Sequence, residues 1–131
     1  MNNYQVENNP HKGNKGLTRA FRAAINSWNG LIYAFKEESA FRQELALSLI
    51  LIPLAIYLPV SPIEKILLIA SVILVLIIEL LNSSVEAAID RISFEVHDLS
   101  KRAKDFGSAA VMLALILCGL TWVIILSEHY L

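Results

Sequence analysis

Polar and apolar residues follow one another in blocks along this chain, and the first block predicts an amphipathic helix. Between Leu17 and Phe35, apolar residues recur at spacings of three and four, with basic and amide side chains falling largely between them. This is the period of a helix with one apolar face. Basic groups on one side and aromatic rings on the other, beside strongly apolar segments, are typical of a helix in the membrane interface. We therefore predict an interfacial helix over residues 17–36.

Three longer apolar blocks follow, and each predicts a membrane-spanning helix. A hydrocarbon core of about 30 Å needs roughly 20 helical residues, and the blocks approach that length when their polar flanks are included. The last block, residues 109–126, contains no charged side chain. The predicted spans are about 40–60, 63–90 and 104–127.

A proline and a capping pattern locate the turn between the first two spans. Pro53 lies inside the first span, where neighbouring helices can compensate for its missing N–H, so we predict a kink there and not an end. Ser61, Pro62 and Glu64 form a helix-start signal, with a serine N-cap, a proline at the first position and a glutamate at the third. Glu64 is therefore predicted to be a cap and not a catalyst. Residues 92–100 are predicted to form a loop or a helical bridge.

Composition places the protein among membrane proteins. Hydrophobic residues make up 56% of its 131 residues, which is more than a soluble domain uses. We predict an all-α membrane protein with one membrane domain over residues 17–131, after a disordered, polar tail over residues 1–16. The net charge of −1 gives no support for nucleic-acid binding, and the single cysteine, Cys118, excludes an intrachain disulfide.

The distribution of basic residues predicts an orientation. All lysines and arginines except Lys65 lie in the N-terminal region up to Arg42 or between Arg91 and Lys104. Because cytoplasmic segments of membrane proteins are enriched in such residues, both regions are predicted to face the cytoplasm. The turn that contains Lys65 would then lie on the opposite side.

The second span carries the strongest candidate chemistry. Glu79, Asn82, Glu86 and Asp90 are three, four and four residues apart, which places them along one helical face. A charge inside a membrane helix suggests function, although a hydrogen-bonded seam between helices is the alternative. Glu79 and Glu86 are separated by roughly 10 Å along the axis. The deeper carboxylate suits a general base acting on a hydroxyl, and the shallower one suits a Mg²⁺ ligand.

Two further clusters lie at the ends of the other spans. In the segment KRAKDFGSAAV, Lys104 and Asp105 combine a cation that could bind phosphate with a carboxylate, although basic residues beside a span are commonly topology signals. In KEESAFRQE, four acidic or amide side chains mark the start of the first span, and Glu37 is predicted to be merely solvated. Trp122 is predicted to be an interface anchor. The sequence contains no phosphate-binding glycine loop, Cys/His cluster or nucleophile elbow.

Three of these segments resemble the small bacterial integral-membrane diacylglycerol kinase family: AFRQE at Ala40–Glu44, ELLNSSVEAAIDR at Glu79–Arg91 and RAKDFGSAAV at Arg102–Val111. The resemblance implies a homotrimer in the bacterial inner membrane, with active sites shared between neighbouring chains. It implies transfer of the γ-phosphate of ATP to the primary hydroxyl of diacylglycerol, which gives phosphatidic acid, with Mg²⁺ as the cofactor.

The resemblance also implies roles for individual residues. Glu79 is similar to the general base and Glu38 and Glu86 to the metal ligands. The catalytic set implied is Glu79, Asn82, Lys104 and Asp105. The implied nucleotide contacts are Arg19, Asn26, Glu38, Glu86, Glu95, Val96, His97, Lys104 and Asp105. The implied lipid-substrate contacts are Arg19, Ala23, Ala24, Ile25, Asn26, Ser27, Trp28, Ala40, Phe41, Arg42, Gln43, Glu44, Glu79, Ser108 and Trp122. Two positions depart from the family, since Asn26 replaces a tyrosine of some relatives and Ile32 replaces an arginine.

Two other functions fit part of the pattern. An undecaprenol kinase of the same superfamily would share the glutamate and asparagine face, but AFRQE favours the diacylglycerol type. A non-enzymatic helical membrane subunit, such as a conducting one, would use Glu79 to line a polar seam. Conduction needs polar residues through the far half of the membrane, whereas Ile66–Ile78 contains only Ser71.

Overall fold

The computed structural model describes residues 15–131, and this part of the chain folds into four α-helices without a strand. The helices are α1 (Leu17–Glu37), α2 (Ser39–Tyr57), α3 (Pro62–Ile92) and α4 (Asp98–Tyr130). Helices α2, α3 and α4 are long and apolar enough to cross a membrane. The prediction of an all-α protein with three spans and an amphipathic N-terminal helix is confirmed. The predicted tail over residues 1–16 lies, except for its last two residues, outside the described residues.

The turn between α2 and α3 follows the capping chemistry of the sequence. The Glu64 backbone N–H donates to Ser61 Oγ over 3.2 Å, and the Ser61 N–H donates to Glu64 Oε2 over 2.7 Å. These reciprocal bonds satisfy two N–H groups that a helix start leaves free, so the predicted cap is confirmed. Helix α2 continues through Pro53 and ends at Tyr57, three residues before the predicted bound. Leu58 adopts an extended conformation, because a residue that precedes a proline is pushed out of the helical region.

The connection between α3 and α4 is shorter than predicted. Only residues 93–97 are non-helical, and α4 begins at Asp98, six residues before the predicted span. The imidazole of His97 explains the early start, because its Nδ1 accepts the Leu99 N–H over 3.1 Å and caps the first turn. The first turns of α4 are polar, so apolar content alone did not reveal them.

Two compact units divide the described chain, one ending at Tyr33 and the other covering Ala34–Leu131. In the first unit, the apolar side chains of α1 are largely exposed, with Leu17 and Trp28 prominent among them. This is the surface expected of an amphipathic helix. Its place in the membrane interface stays a prediction.

The second unit is built on α3, which packs against both α2 and α4. Trp122 is only 8% exposed and lies in the core, so the prediction that it anchors the chain at the interface is wrong. The reason is helical spacing, because Ala114, Trp122 and Ile125 share one buried face of α4. The outward faces of the spans remain apolar, as integral membrane proteins require. The core cluster consists of Ala55, Val60, Leu68, Val72, Trp122 and Ile125.

Candidate active site

Glu79 is the most deeply buried charged side chain in the described part of the chain, with 4% of its surface exposed. It lies on α3, and three other carboxylates are near enough for their charges to act on it: Glu38, Glu44 and Glu86. These residues come from the start and first turns of α2 and from the next turns of α3. Within the single chain, the predicted base therefore lies within charge range of both predicted metal ligands, and we call these four glutamates the acidic cluster.

The acidic cluster fits a divalent cation held jointly with a substrate. Carboxylates crowded in a poorly solvated place repel one another unless a cation offsets their charge. Among residues 15–131, no three Asp, Glu, His or Cys side chains converge closely enough to hold an ion alone. Mg²⁺ is commonly held by one or two carboxylates together with substrate phosphates. Glu38 and Glu86 each carry hard oxygen donors of the kind that Mg²⁺ prefers.

The placement of Glu38 depends on Arg42. Glu38 is the extended N-cap residue between α1 and α2. Arg42 Nη1 donates to the carbonyl oxygens of Phe35 over 2.8 Å and of Lys36 over 3.0 Å. These carbonyls lie at the C-terminal end of α1, where no helical N–H can reach them. The guanidinium thus fastens the end of α1 to α2 on both sides of Glu38, a role that the sequence did not reveal.

Glu44 borders a small cavity between α2, α3 and α4. Its Oε2 atom is buried without a hydrogen-bond partner, and the cavity has a volume of about 30 Å³. Ser48 and Cys118 also line it. A space of this size accommodates about one water molecule.

Asn82 lies one turn beyond Glu79, with its Oδ1 buried and unpartnered. This oxygen sits directly against Gly107 of α4, at a place where a Cβ atom would occupy the same space. Gly107 was not among the residues that the sequence pattern predicted for the site. The sequence feature that could have indicated it is a glycine inside a predicted helix, because such a glycine often has a packing or functional reason.

Lys104 and Asp105 do not contact one another but take separate partners. Lys104 Nζ donates to Asp90 Oδ1 of α3 over 2.8 Å, and Asp105 Oδ2 accepts from Lys101 Nζ over 2.6 Å. Consecutive helical residues point about 100° apart, so each faces different neighbours. Lys104 is also near enough to Glu86 for the two charges to interact. Lys104 therefore contacts Asp90 and lies within charge range of one member of the acidic cluster.

A cavity of about 300 Å³ lies where α3 ends and α4 begins. Both lysine–aspartate pairs line it, so the candidate site gains Asp90 of the predicted polar face and Lys101, for which no role was predicted. Five of the predicted nucleotide contacts also line this cavity: Glu95, Val96, His97, Lys104 and Asp105.

The remaining predicted contacts occupy varied surroundings. Phe41 is 2% exposed, and Trp122 lies in the core, so both pack inside this chain. Ala40, Gln43 and Ser108 are exposed. The contacts predicted on α1 belong to the first unit and are exposed there: Arg19, Ala23, Ala24, Ile25, Asn26, Ser27 and Trp28. Their roles stay predictions.

Known proteins are similar to this chain over most of its length. Residues 25–126 match the family model of prokaryotic diacylglycerol kinase. The diacylglycerol kinase of Escherichia coli (strain K12) is 50% identical over 115 residues, which cover 88% of this chain and 94% of that protein. The diacylglycerol kinase of Pseudomonas aeruginosa is 50% identical over 117 residues, covering 89% and 95%. That of Haemophilus influenzae is 52% identical over 107 residues, covering 82% and 91%. The chain therefore belongs to the prokaryotic diacylglycerol kinase family.

Proposed function

We propose that this protein transfers the γ-phosphate of ATP to the primary hydroxyl of diacylglycerol, which gives phosphatidic acid and ADP. The observation that carries the proposal is the buried Glu79 on a membrane-spanning helix, with Glu38 and Glu86 beside it. A carboxylate at this place meets the needs of a lipid kinase, because the hydroxyl of a membrane lipid does not leave the bilayer surface. The relatives that share half of the sequence are named diacylglycerol kinases.

Glu79 is the proposed general base. Its carboxylate accepts the proton of the lipid hydroxyl while the hydroxyl oxygen bonds to the γ-phosphorus. The bond between that phosphorus and the β,γ-bridging oxygen breaks, and its electron pair leaves with ADP. Phosphoryl transfer depends mainly on positioning and charge neutralisation, so helices without a glycine-rich loop can support it.

Glu38 and Glu86 are the proposed ligands of Mg²⁺. Bound Mg²⁺ neutralises charge on the transferring phosphates. The two glutamates come from different helices, and the hydrogen bonds of Arg42 fasten the segment that carries Glu38. The backbone that carries Glu38 is thus supported by Arg42, and Glu86 lies on the long helix α3.

The cavity at the end of α3 is the proposed place of the nucleotide. Lys104 lines this cavity and lies within range of the Glu86 charge, which suits a cation that contacts phosphates while the base and sugar occupy the cavity. Asp105 and the residues Glu95–His97 complete its walls. Arg19 and Asn26 remain proposed nucleotide contacts on the family resemblance alone, as do Ala23–Trp28 for the lipid.

We also propose a homotrimer in the bacterial inner membrane, with the N-terminus and the active sites facing the cytoplasm. The positions of the basic residues support this orientation. The extensive apolar surface of α2, α3 and α4 provides area for contacts with both lipid and neighbouring chains.

The test is a phosphorylation assay of the purified protein in mixed micelles, with labelled ATP and with diacylglycerol and undecaprenol offered together. We expect labelled phosphatidic acid, formed only when Mg²⁺ is present. Label in the polyprenol alone would overturn the lipid assignment. A protein that assembles normally but consumes no ATP would be a non-enzymatic membrane subunit.

A further inference from the structure

Gly107 occupies a helical position that gives glycine no conformational advantage. It lies inside α4, with helical residues on both sides. Glycine is unfavourable inside a helix because it loses more backbone freedom than other residues. The presence of glycine at this position therefore suggests that α4 has no room for a Cβ atom there.

The side chain that Gly107 leaves room for is that of Asn82. A Cβ atom on Gly107 would overlap Asn82 Oδ1 and come within 3.2 Å of Asn82 Cγ. The other glycines inside described helices, Gly30 and Gly119, would meet nothing within 4 Å. The requirement for glycine is thus specific to the contact between Gly107 and Asn82.

The contact controls which way the Asn82 amide points. Its oxygen is buried against α4 without a hydrogen-bond partner, so close packing and not a hydrogen bond holds it there. The Nδ2 group of the same amide carries two N–H donors, and it is not among the atoms that a Cβ on Gly107 would meet. Donors held in advance at the position of a transferring phosphate stabilise the charge on its oxygens.

We propose that Gly107 is a positioning residue of phosphoryl transfer, which acts by leaving space for the Asn82 amide so that its N–H donors face the reacting phosphate. The inference rests on the proposed function and deepens it. The overlapping atom is the tip of a flexible side chain and not backbone. A methyl group at position 107 therefore rotates Asn82 and leaves the packing of α3 and α4 in place.

The experiment compares Gly107→Ala with Gly119→Ala, a matched substitution on the same helix. We expect Gly107→Ala to lower kcat by about 10- to 100-fold, because small displacements of positioned groups have effects of this size. The KM for diacylglycerol and the thermal stability in micelles should change little. Gly119→Ala should retain kcat within about twofold, since its methyl group meets no neighbour.

A double-variant cycle separates positioning from a structural role. In an Asn82→Ala background, the added methyl has no amide to displace, so the effect of Gly107→Ala on kcat should shrink to about onefold. An equal loss in both backgrounds would overturn the inference. So would normal turnover of Gly107→Ala alongside impaired Asn82→Ala, and that result would leave the proposed function standing.

Two further outcomes are decisive. If Asn82→Ala is fully active, Asn82 has no part in transfer and the inference fails together with that residue's assignment, while the Glu79 base remains testable. If Gly107→Ala assembles poorly, the deciding measurement is the assembly of the double variant that combines Gly107→Ala with Asn82→Ala. Restored assembly identifies Asn82 as the group that the methyl meets, and continued failure overturns the inference.

Discussion

Lys104 of α4 donates to Asp90 of α3 over 2.8 Å, and this bond joins the two helices at the wall of the proposed nucleotide cavity. Both side chains remain nearly half exposed. An ion pair this exposed adds little to stability. We propose that its role is to hold the Lys104 ammonium group at the nucleotide cavity, within range of the Glu86 charge.

Replacing Lys104 should therefore impair nucleotide use more than folding. We expect Lys104→Met to lower kcat/KM for ATP by about 100-fold, because a preorganised cation at a transferring phosphoryl group has effects of this order. Lys104→Arg should retain part of the activity, since the charge remains. Lys65→Met, at the opposite end of α3, serves as the control in steady-state kinetics. Equal losses in both methionine variants would contradict the assignment.

Glu79→Gln preserves the shape of the side chain but cannot accept the hydroxyl proton. We expect turnover to fall by about 10²- to 10⁴-fold, the usual contribution of a general base, while the size of the assembled protein in micelles stays unchanged. Glu128→Gln, an exposed change in the last turn of α4, should leave turnover intact. Normal turnover of Glu79→Gln would disprove the proposed base.

Glu38→Gln and Glu86→Gln should raise the Mg²⁺ concentration needed for half-maximal activity. A neutral amide is a weaker ligand for a hard cation than a carboxylate, so we expect increases of about tenfold or more, the scale on which altered metal sites lose affinity. Mg²⁺ titrations at saturating ATP measure this. Glu37→Gln provides a matched control, because Glu37 is exposed and adjacent to Glu38. A Mg²⁺ requirement unchanged in both site variants would argue against these ligands.

Arg42→Ala should weaken Mg²⁺ use indirectly by freeing the backbone around Glu38. Two carbonyl oxygens at the end of α1 would lose their donor, so the half-saturating Mg²⁺ concentration should rise by about two- to tenfold, less than for Glu38→Gln. Arg42→Lys should recover part of the loss, because an ammonium group can also donate to carbonyls. If the alanine variant instead changes only the KM for diacylglycerol, Arg42 acts as a lipid contact.

Ser61→Ala should lower the free energy of unfolding without changing kcat. The variant loses the hydroxyl that accepts the Glu64 N–H, and loss of an N-cap costs about 1 kcal/mol. Denaturant titration in micelles would detect the change, with kcat unaltered. Ser127→Ala is the control, since that hydroxyl only donates to a carbonyl within α4. A lower kcat in Ser61→Ala at full assembly would show that the turn affects the site.

The sequence was sufficient to predict features that depend on local chemistry. The cap at Ser61, the passage of α2 through Pro53 and the polar face around Glu79 each follow from spacing within one helix. Features that depend on which residues of α4 face α3 could not be predicted. These include the pairing of Lys104 with Asp90, the contact of Gly107 with Asn82 and the burial of Trp122, because helical spacing alone does not select a partner.

The far ends of α3 and α4 are also joined, by His129 Nε2 and Glu64 Oε1 at 3.0 Å. Between the two ends, Asn82 meets Gly107 and Ser71 Oγ lies 3.6 Å from Cys118 Sγ. Asn82 and Ser71 are eleven residues apart, as are Gly107 and Cys118. The two contacts therefore have the same spacing on both of these antiparallel helices. Sliding one helix past the other by one turn, about 5.4 Å, would separate these three pairs and the Lys104–Asp90 pair at once. The register of this helical hairpin is therefore fixed along its whole length.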